Sequence, residues 1–351
     1  MKICSTHNNR QGPGLIAGII CLALAVLPFA AIAKNGDYIR PKMNVPTDNQ
    51  TTPERVTLGK ALFFDPRLSG SNWISCATCH NPAMGWSDGL PTAIGHNMAV
   101  LGRATPTILN TAYNRKQMWD GRFRSLEQQA LGPIQADVEM NQDMDELLVE
   151  LNAIPGYVEM FKAAYGDEGI TQNTIAKAIA AFERTAISTE APFDRFINGD
   201  KNAISASAKR GFELFEGKAN CAACHQGHNF VDDGFHNIGL PGSDDPGRYN
   251  IVKVNILKGA FKTPTLRDIT LTSPYMHNGV YNTLEEVVDH YNTGGKATGN
   301  IDPNIKPLNL SDQEKNDLIA FMQTLTGTPR DITVPKLPPS SIKEVKHVLA
   351  R

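Results

Sequence analysis

Apolar residues recur at helical spacing in several parts of the chain, and no long stretch alternates at strand spacing. Ile175, Ile179, Phe182 and Ile187 fall near one face of a segment from Asn173 to Ser188, with a capping residue in front. Ser311 and Glu314 form a capping box ahead of Leu318, Ile319, Phe321, Met322 and Leu325, which predicts another helix. Thr283 to Tyr291 places Leu284, Val287, Val288 and Tyr291 on one side, and Asp143–Leu151 and Gly156–Ala164 are shorter helical candidates. Two more apolar helical faces, Gly59-Lys60-Ala61-Leu62-Phe63 and Gly211-Phe212-Glu213-Leu214-Phe215, form a faint internal repeat.

Gly, Pro and Asn punctuate 82–122 and 226–282, so these read as long ordered loops, and loops of that length in a compact domain usually carry function. Pro192, Gly199 and Asp200 interrupt the helices near Ala191–Ser205, which suggests a domain boundary there. From Pro329 onward the chain reads as an extended tail over the surface. The class expected is mainly α with few strands, in two domains over 34–195 and 196–328 and a tail over 329–351.

Residues 1–33 read as an export signal. Lys2 and Arg10 are the positive end, Leu15–Ala31 is apolar, and Ala31-Ile32-Ala33 is a small-x-small cleavage pattern. An uncleaved anchor is the alternative, and Pro28 with the A-x-A ending favours cleavage after Ala33. Cys4 and Cys21 would leave with the signal, and a periplasmic location follows. The formal net charge is −2 with 20% charged residues and no lysine-rich run, which argues against nucleic acid as a partner.

The remaining four cysteines lie in two C-x-x-C-H pentapeptides, Cys76-Ala77-Thr78-Cys79-His80 and Cys221-Ala222-Ala223-Cys224-His225. Two thiols at that spacing form thioethers to the vinyl groups of one haem, and the next histidine reaches the iron from the proximal side. Disulfides, a thioredoxin-like dithiol and a split zinc site are the alternatives. A redox dithiol needs no adjoining His, and zinc pairs lie closer together in sequence. Two covalently bound c-type haems are therefore expected. The occupant of each iron's second face decides between electron transfer and chemistry. In the chain after residue 33 the free histidines are His96, His228, His236, His277, His290 and His347, and methionine and tyrosine also serve as ligands.

Further blocks occur in a fixed order around the two motifs. They are Leu58-Gly59-Lys60-Ala61-Leu62-Phe63-Phe64-Asp65, Leu68-Ser69, Thr105-Pro106-Thr107, Trp119-Asp120-Gly121-Arg122, Pro274-Tyr275-Met276-His277-Asn278-Gly279 and Thr283-Leu284-Glu285-Glu286-Val287. The set resembles the bacterial dihaem cytochrome c peroxidase family, which includes the MauG-type enzymes, over about residues 50–327. The resemblance implies that the His80 haem is the peroxide site and the His225 haem the electron-transfer site. His96 matches the loop histidine that caps the peroxidatic iron in resting members, and Trp119 the tryptophan between the haems. Gln129 and Glu139 match the distal pair of the peroxide pocket. Their chemistry makes sense unaided: O–O cleavage needs a base that takes a proton from one oxygen and returns it to the other. Burial raises a carboxyl toward the pKa this requires, while an amide orients without shuttling protons.

At the second haem the family's axial methionine position falls on Tyr291, where MauG-type members carry a tyrosine. Phenolate, a hard anionic donor, lowers the reduction potential, whereas a thioether raises it. Met276 is the main rival ligand and His290 another; the role of His277 stays open. Family members also hold calcium between the domains, and Thr272 and Pro274 match its carbonyl donors, but Ala104 stands in place of the Asn ligand, which leaves calcium open.

The leading expectation is a periplasmic peroxidase that reduces hydrogen peroxide with electrons from a small cytochrome c or a cupredoxin. A MauG-like enzyme that oxidises residues of a partner protein is the alternative, and a dihaem electron carrier is the third reading. The resemblance also brings the expectation of a homodimer, for which the sequence has no separate signal.

Overall fold

The structure, a computed structural model, describes residues 35–296 and 299–340. The expected signal segment and His347 lie outside the described residues. Ten α-helices occur among those described: α1 Pro53–Phe64, α2 Cys76–Cys79, α3 Leu126–Gln135, α4 Met144–Asn152, α5 Pro155–Tyr165, α6 Gln172–Glu183, α7 Pro192–Ile197, α8 Ala206–Glu216, α9 Leu284–Thr293 and α10 Asp312–Gln323. The two strands, β1 Phe235–His236 and β2 Phe261–Lys262, pair antiparallel with Phe235 opposite Lys262.

The predicted caps form. Thr283 with Glu286 starts α9 and Ser311 with Glu314 starts α10, each side chain satisfying a backbone donor of the first turn. Helix α6 ends at Glu183, short of the expected Ser188. Ser188 is instead drawn into a buried network, its N–H donating to Asn110 Oδ1 at 3.0 Å and its hydroxyl to Asp268. Pro192 starts a helix rather than interrupting one, because its fixed φ and missing N–H suit a first turn. Helix α3 carries Gly132 and Pro133, which hid it from periodicity.

Two hydrophobic cores result. The first gathers Leu58, Leu62, Phe63, Ile134, Tyr157, Phe161 and Ile179. The second is an aromatic cluster, with ring centroids 5.0 Å apart at Phe215–Phe321 and 5.3 Å at Phe193–Phe321. Burying each such ring contributes about 1.5–3 kcal/mol. Tyr38 and Phe193 both pack in this second core, so the N-terminal segment reaches across to it. The tail returns to the first core: Ile332 and Leu337 pack on it, and Arg67 Nη2 donates to Pro338 O at 2.9 Å.

The faint sequence repeat becomes a structural one. α1 crosses α6 and α8 crosses α10, each through a glycine in direct backbone contact. A Cβ on Gly59 would lie 1.9 Å from Ala178 O, and one on Gly211 would lie 1.9 Å from Asp317 O. The repeat also extends into the loops. Thr105-Pro106-Thr107 and Thr263-Pro264-Thr265 each lead to a left-handed residue, Asn110 (φ 60°) and Asp268 (φ 56°). Met118-Trp119-Asp120-Gly121 and Met276-His277-Asn278-Gly279 each turn at a left-handed methionine (φ 70° and 76°). Bridges Gln117–Phe123 and Tyr275–Tyr281 close these turns before α3 and α9. The two halves exchange contacts through them: Ala104 N–H donates to His277 O at 2.7 Å, and Lys262 N–H donates to Trp119 O at 2.8 Å.

Candidate active site at two haem attachment motifs

One helical turn, α2, carries Cys76 and Cys79, and a 3-10 turn over Cys221–Ala223 leads to Cys224, so each thiol pair sits one turn apart. His80 and His225 follow, their N–H groups donating to Cys76 O at 2.8 Å and Cys221 O at 2.9 Å. Both imidazoles are clamped the same way. His80 Nδ1 lies 3.1 Å from Trp86 O, and His225 Nδ1 lies 2.9 Å from Phe230 O. A carbonyl accepts, so each Nδ1 carries the proton and each Nε2 keeps its lone pair for a metal. Burial lowers the pKa of His80 and pushes His225 down to about 4, so both rings are neutral near pH 7. All four thiols are free of disulfides. This donor set fits two covalently attached haems.

Beside the first motif lies a cavity of about 460 Å³. Cys79, His80, Gln129, Glu139 and Trp119 all line it, so the predicted distal pair and proximal histidine converge on one space. Gln129 projects from α3, and Glu139 follows in the turn after it. Burial raises the pKa of Glu139, and Arg122, with Nη2 at 3.9 Å from Oε1, opposes the shift weakly. Arg122, the last residue of the Trp119-Asp120-Gly121-Arg122 block, has its Nη1 held by Asp120 Oδ2 at 3.0 Å. His96 stands beside this segment rather than in the cavity lining. Its N–H donates to Glu139 O at 2.8 Å, and the Asn141 amide donates to its Nε2 at 3.2 Å. Gly95 permits that approach, since a Cβ there would lie 2.0 Å from Val138 O.

Trp119 joins the halves. Its indole N–H donates to Ala104 O at 2.9 Å, and its ring meets His277 edge-on at 6.3 Å. His277 is stacked on Phe261 at 3.5 Å, with Ser243 Oγ at 2.8 Å from its Nε2, so it braces the tryptophan.

Near the second motif, Tyr291 projects from α9 close enough to Cys221 and Cys224 to interact electrostatically, and burial pushes its phenol upward. Its hydroxyl has no hydrogen-bond partner among the described residues. His290 differs: Nδ1 lies 3.0 Å from Tyr281 OH and Nε2 lies 2.9 Å from Ile238 O, so both nitrogens are engaged. Met276 lines the cavity on the His80 side. Thr272 and Pro274 line that cavity too, but Ala104 supplies no side-chain oxygen and its carbonyl is taken by Trp119. The hard-cation donor set is thus incomplete on protein atoms, and no step is assigned to calcium. Cys224, Asp232 and His236 also cluster. Asp232 and Asp302 engage both nitrogens of His236, at 2.8 and 2.6 Å, and Cys224 belongs to the haem motif.

Comparison with known proteins decides the family. The description "Di-haem cytochrome c peroxidase" matches residues 53–202, and "Cytochrome c" matches residues 208–326. The methylamine utilization protein MauG of Methylorubrum extorquens is 51% identical over 296 residues, 84% of either chain. The chain belongs to the di-haem cytochrome c peroxidase family. It is an oxidoreductase with two cytochrome c-like domains and two c-type haems, one at each C-x-x-C-H motif. The cytochrome-c peroxidase IdrP1 of Pseudomonas sp. is 39% identical over 357 residues, 91% of this chain and 93% of that one. A MauG-like protein associated with microbial copper homeostasis superposes with a TM-score of 0.76 at 33% identity, over 82% of this chain and 93% of that one.

Two buried groups of this dihaem peroxidase escaped sequence reasoning. Glu183, at the end of α6, lines the cavity with its Oε2 unpartnered, and burial pushes it up to about 8. Lys262, on β2, lines the same cavity. Nothing in the pattern of either segment foretold burial of a charged residue, because burial is set by tertiary packing and not by local periodicity.

Proposed function

We propose that this protein is a periplasmic peroxidase that reduces hydrogen peroxide to two waters, taking two electrons through the His225 side and two protons from solvent. The observation that supports this most is the convergence of Gln129 and Glu139 with His80 on one cavity. The haems supply the redox chemistry and the electron path. Glu139 takes a proton from one peroxide oxygen and returns it to the departing one, and burial, by raising its pKa above the ordinary carboxylate value, favours the return step. Gln129 orients the peroxide by hydrogen bonding. Arg122 stays on Asp120 and leaves Glu139 free to exchange its proton. Trp119, fixed by Ala104 and braced by His277, provides the contact between the halves. The donor is a small cytochrome c or a cupredoxin.

A second reading, MauG-like oxidation of a partner protein's residues, is favoured by one feature. Tyr291 lies by the second motif with a free hydroxyl, and phenolate ligation lowers the potential of that haem. Rapid mixing of the diferric protein with one equivalent of hydrogen peroxide separates the two. Consumption of peroxide coupled to oxidation of an added small c-type cytochrome supports the peroxidase. An immediate, long-lived oxidised spectrum with no turnover of that donor supports the second reading. Absence of any reaction with peroxide, before or after half reduction, defeats both.

A further inference from the structure

We propose that the buried ammonium of Lys262 is the counter-ion of a haem propionate in the gap between the two halves, and that it sets the reduction potential of that haem. The inference rests on the presence of two haems and not on the reaction assigned to them. Lys262 is 9% exposed, and among the described residues it forms no ion pair. Its Nζ has one hydrogen-bond partner, the Thr263 carbonyl at 2.9 Å. The nearby carboxylates are engaged elsewhere. Asp232 accepts from His236 Nε2 at 2.8 Å and from Thr263 Oγ1 at 2.7 Å, and Asp233 pairs with Arg115. An ammonium donates three hydrogen bonds, and burying it with one acceptor and no anion is unfavourable. The cavity it lines, shared with His80 and Trp119, is where an anionic cofactor edge supplies what the protein withholds.

The backbone around Lys262 is built to hold the side chain there. β2 pairs with β1 on one side, and the Lys262 N–H reaches Trp119 O on the other. Its equivalent in the first repeat is Ala104, before Thr105-Pro106-Thr107, which makes the matching bond to His277 O. The two positions share a backbone role, and one carries a charge. Lys262 therefore makes the gap electrostatically asymmetric, and a cation beside one propionate favours the reduced form of that haem. Burial pushes the Lys262 pKa down to about 8 despite the opposing charges of Asp233 and Asp232, the response of an ammonium without a direct anionic partner.

The test is spectroelectrochemical titration of the haem-loaded protein, with haem content per chain measured first by alkaline pyridine absorbance. Lys262→Met is expected to lower the midpoint potential of one haem, and Lys262→Arg to restore it. The carboxylate band of isotope-labelled propionates in redox-difference infrared spectra is expected to move in the Met variant and not in the Arg variant. Two haems per chain with unchanged potentials and unchanged propionate bands in Lys262→Met would overturn the proposal. If that variant fails to fold, Lys262→Gln, which keeps length and polarity without charge, carries the same test. Fewer than two haems in the wild type would instead overturn the dihaem reading.

Discussion

Replacing Glu139 by Gln removes the proposed proton carrier while preserving shape, and the structure separates its kinetic cost from its structural cost. The carboxylate is 26% exposed and has one charged neighbour, Arg122, at 3.9 Å. That pair is long, and Arg122 keeps Asp120 at 3.0 Å after the change, so the loss of stability should stay below about 1 kcal/mol. In a protein of this size that is a fall in Tm of no more than about 4 °C. Loss of a positioned acid–base group costs about 10²–10⁴ in rate, or about 2.7–5.5 kcal/mol at about 1.36 kcal/mol per decade. The pH profile adds a sign. Glu139 must be ionised to accept the first proton, and burial raises its pKa, so wild-type kcat/KM for peroxide should climb with pH above the usual carboxylate range. In Glu139→Gln that limb should vanish. The assay is stopped-flow peroxide consumption from pH 4 to 8, with both haem spectra and Tm as controls. Activity within about threefold of wild type, with the pH limb intact, would show that Glu139 carries no proton.

Tyr291→Met should raise the midpoint potential of the C-terminal haem, because a thioether replaces an anionic oxygen; an unchanged potential would mean that Tyr291 is not a ligand. Gly59→Ala and Gly211→Ala should each lower Tm by an amount matching about 1–3 kcal/mol or more, since a Cβ 1.9 Å from a backbone carbonyl forces the helices apart. Near-neutral Tm values would refute the close crossings. Glu183→Gln tests the buried carboxyl: its folded pKa, about 8, lies above the unfolded value of 4.5, so the folded state holds a proton that the unfolded state releases. Wild-type stability should therefore fall relative to the Gln variant as pH rises from 4.5 to 8, by up to about 1.4 kcal/mol per unit, and parallel Tm curves would refute it.

Local chemistry made part of this molecule legible in the sequence. The caps at Thr283 and Ser311 and the short helices α4 and α5 depend on neighbours in the chain, and they stand as read. What stayed hidden depends on partners far away in sequence. His290 has the chemistry of a ligand, yet Tyr281 and Ile238 take both its nitrogens. Helix α3 contains Gly132 and Pro133 and is held by its packing on the first core, so propensity argued against it. The loop repeat keeps its Thr-Pro-Thr segment and the methionine and glycine of its turn but changes the side chains between them: Trp119 matches His277 and Ala104 matches Lys262.

That repeat sets one backbone plan against two different sets of side chains. Each half clamps its proximal histidine through Nδ1 to a carbonyl and crosses its helices at a glycine. Each then turns at a left-handed methionine into a capped helix, α3 after Ser125 and α9 after Thr283. Counted from those methionines, Met118 and Met276, the position that holds Tyr291 in α9 holds Pro133 in α3. A tyrosine offers an oxygen to a metal, whereas a proline side chain has no donor atom at all. Pro133 lines the cavity with Gln129 and Glu139, so the first half leaves space where the second half carries the Tyr291 phenol. One helix position thus distinguishes the halves: space beside Gln129 and Glu139 in the N-terminal half, and a buried phenol near Cys221 and Cys224 in the C-terminal half. Pro133→Tyr, in the haem-loaded protein, should then close the first site, turning its spectrum toward that of a tyrosine-ligated haem and suppressing the reaction with peroxide. An open, peroxide-reactive first site in that variant would show that the two helices are not equivalent.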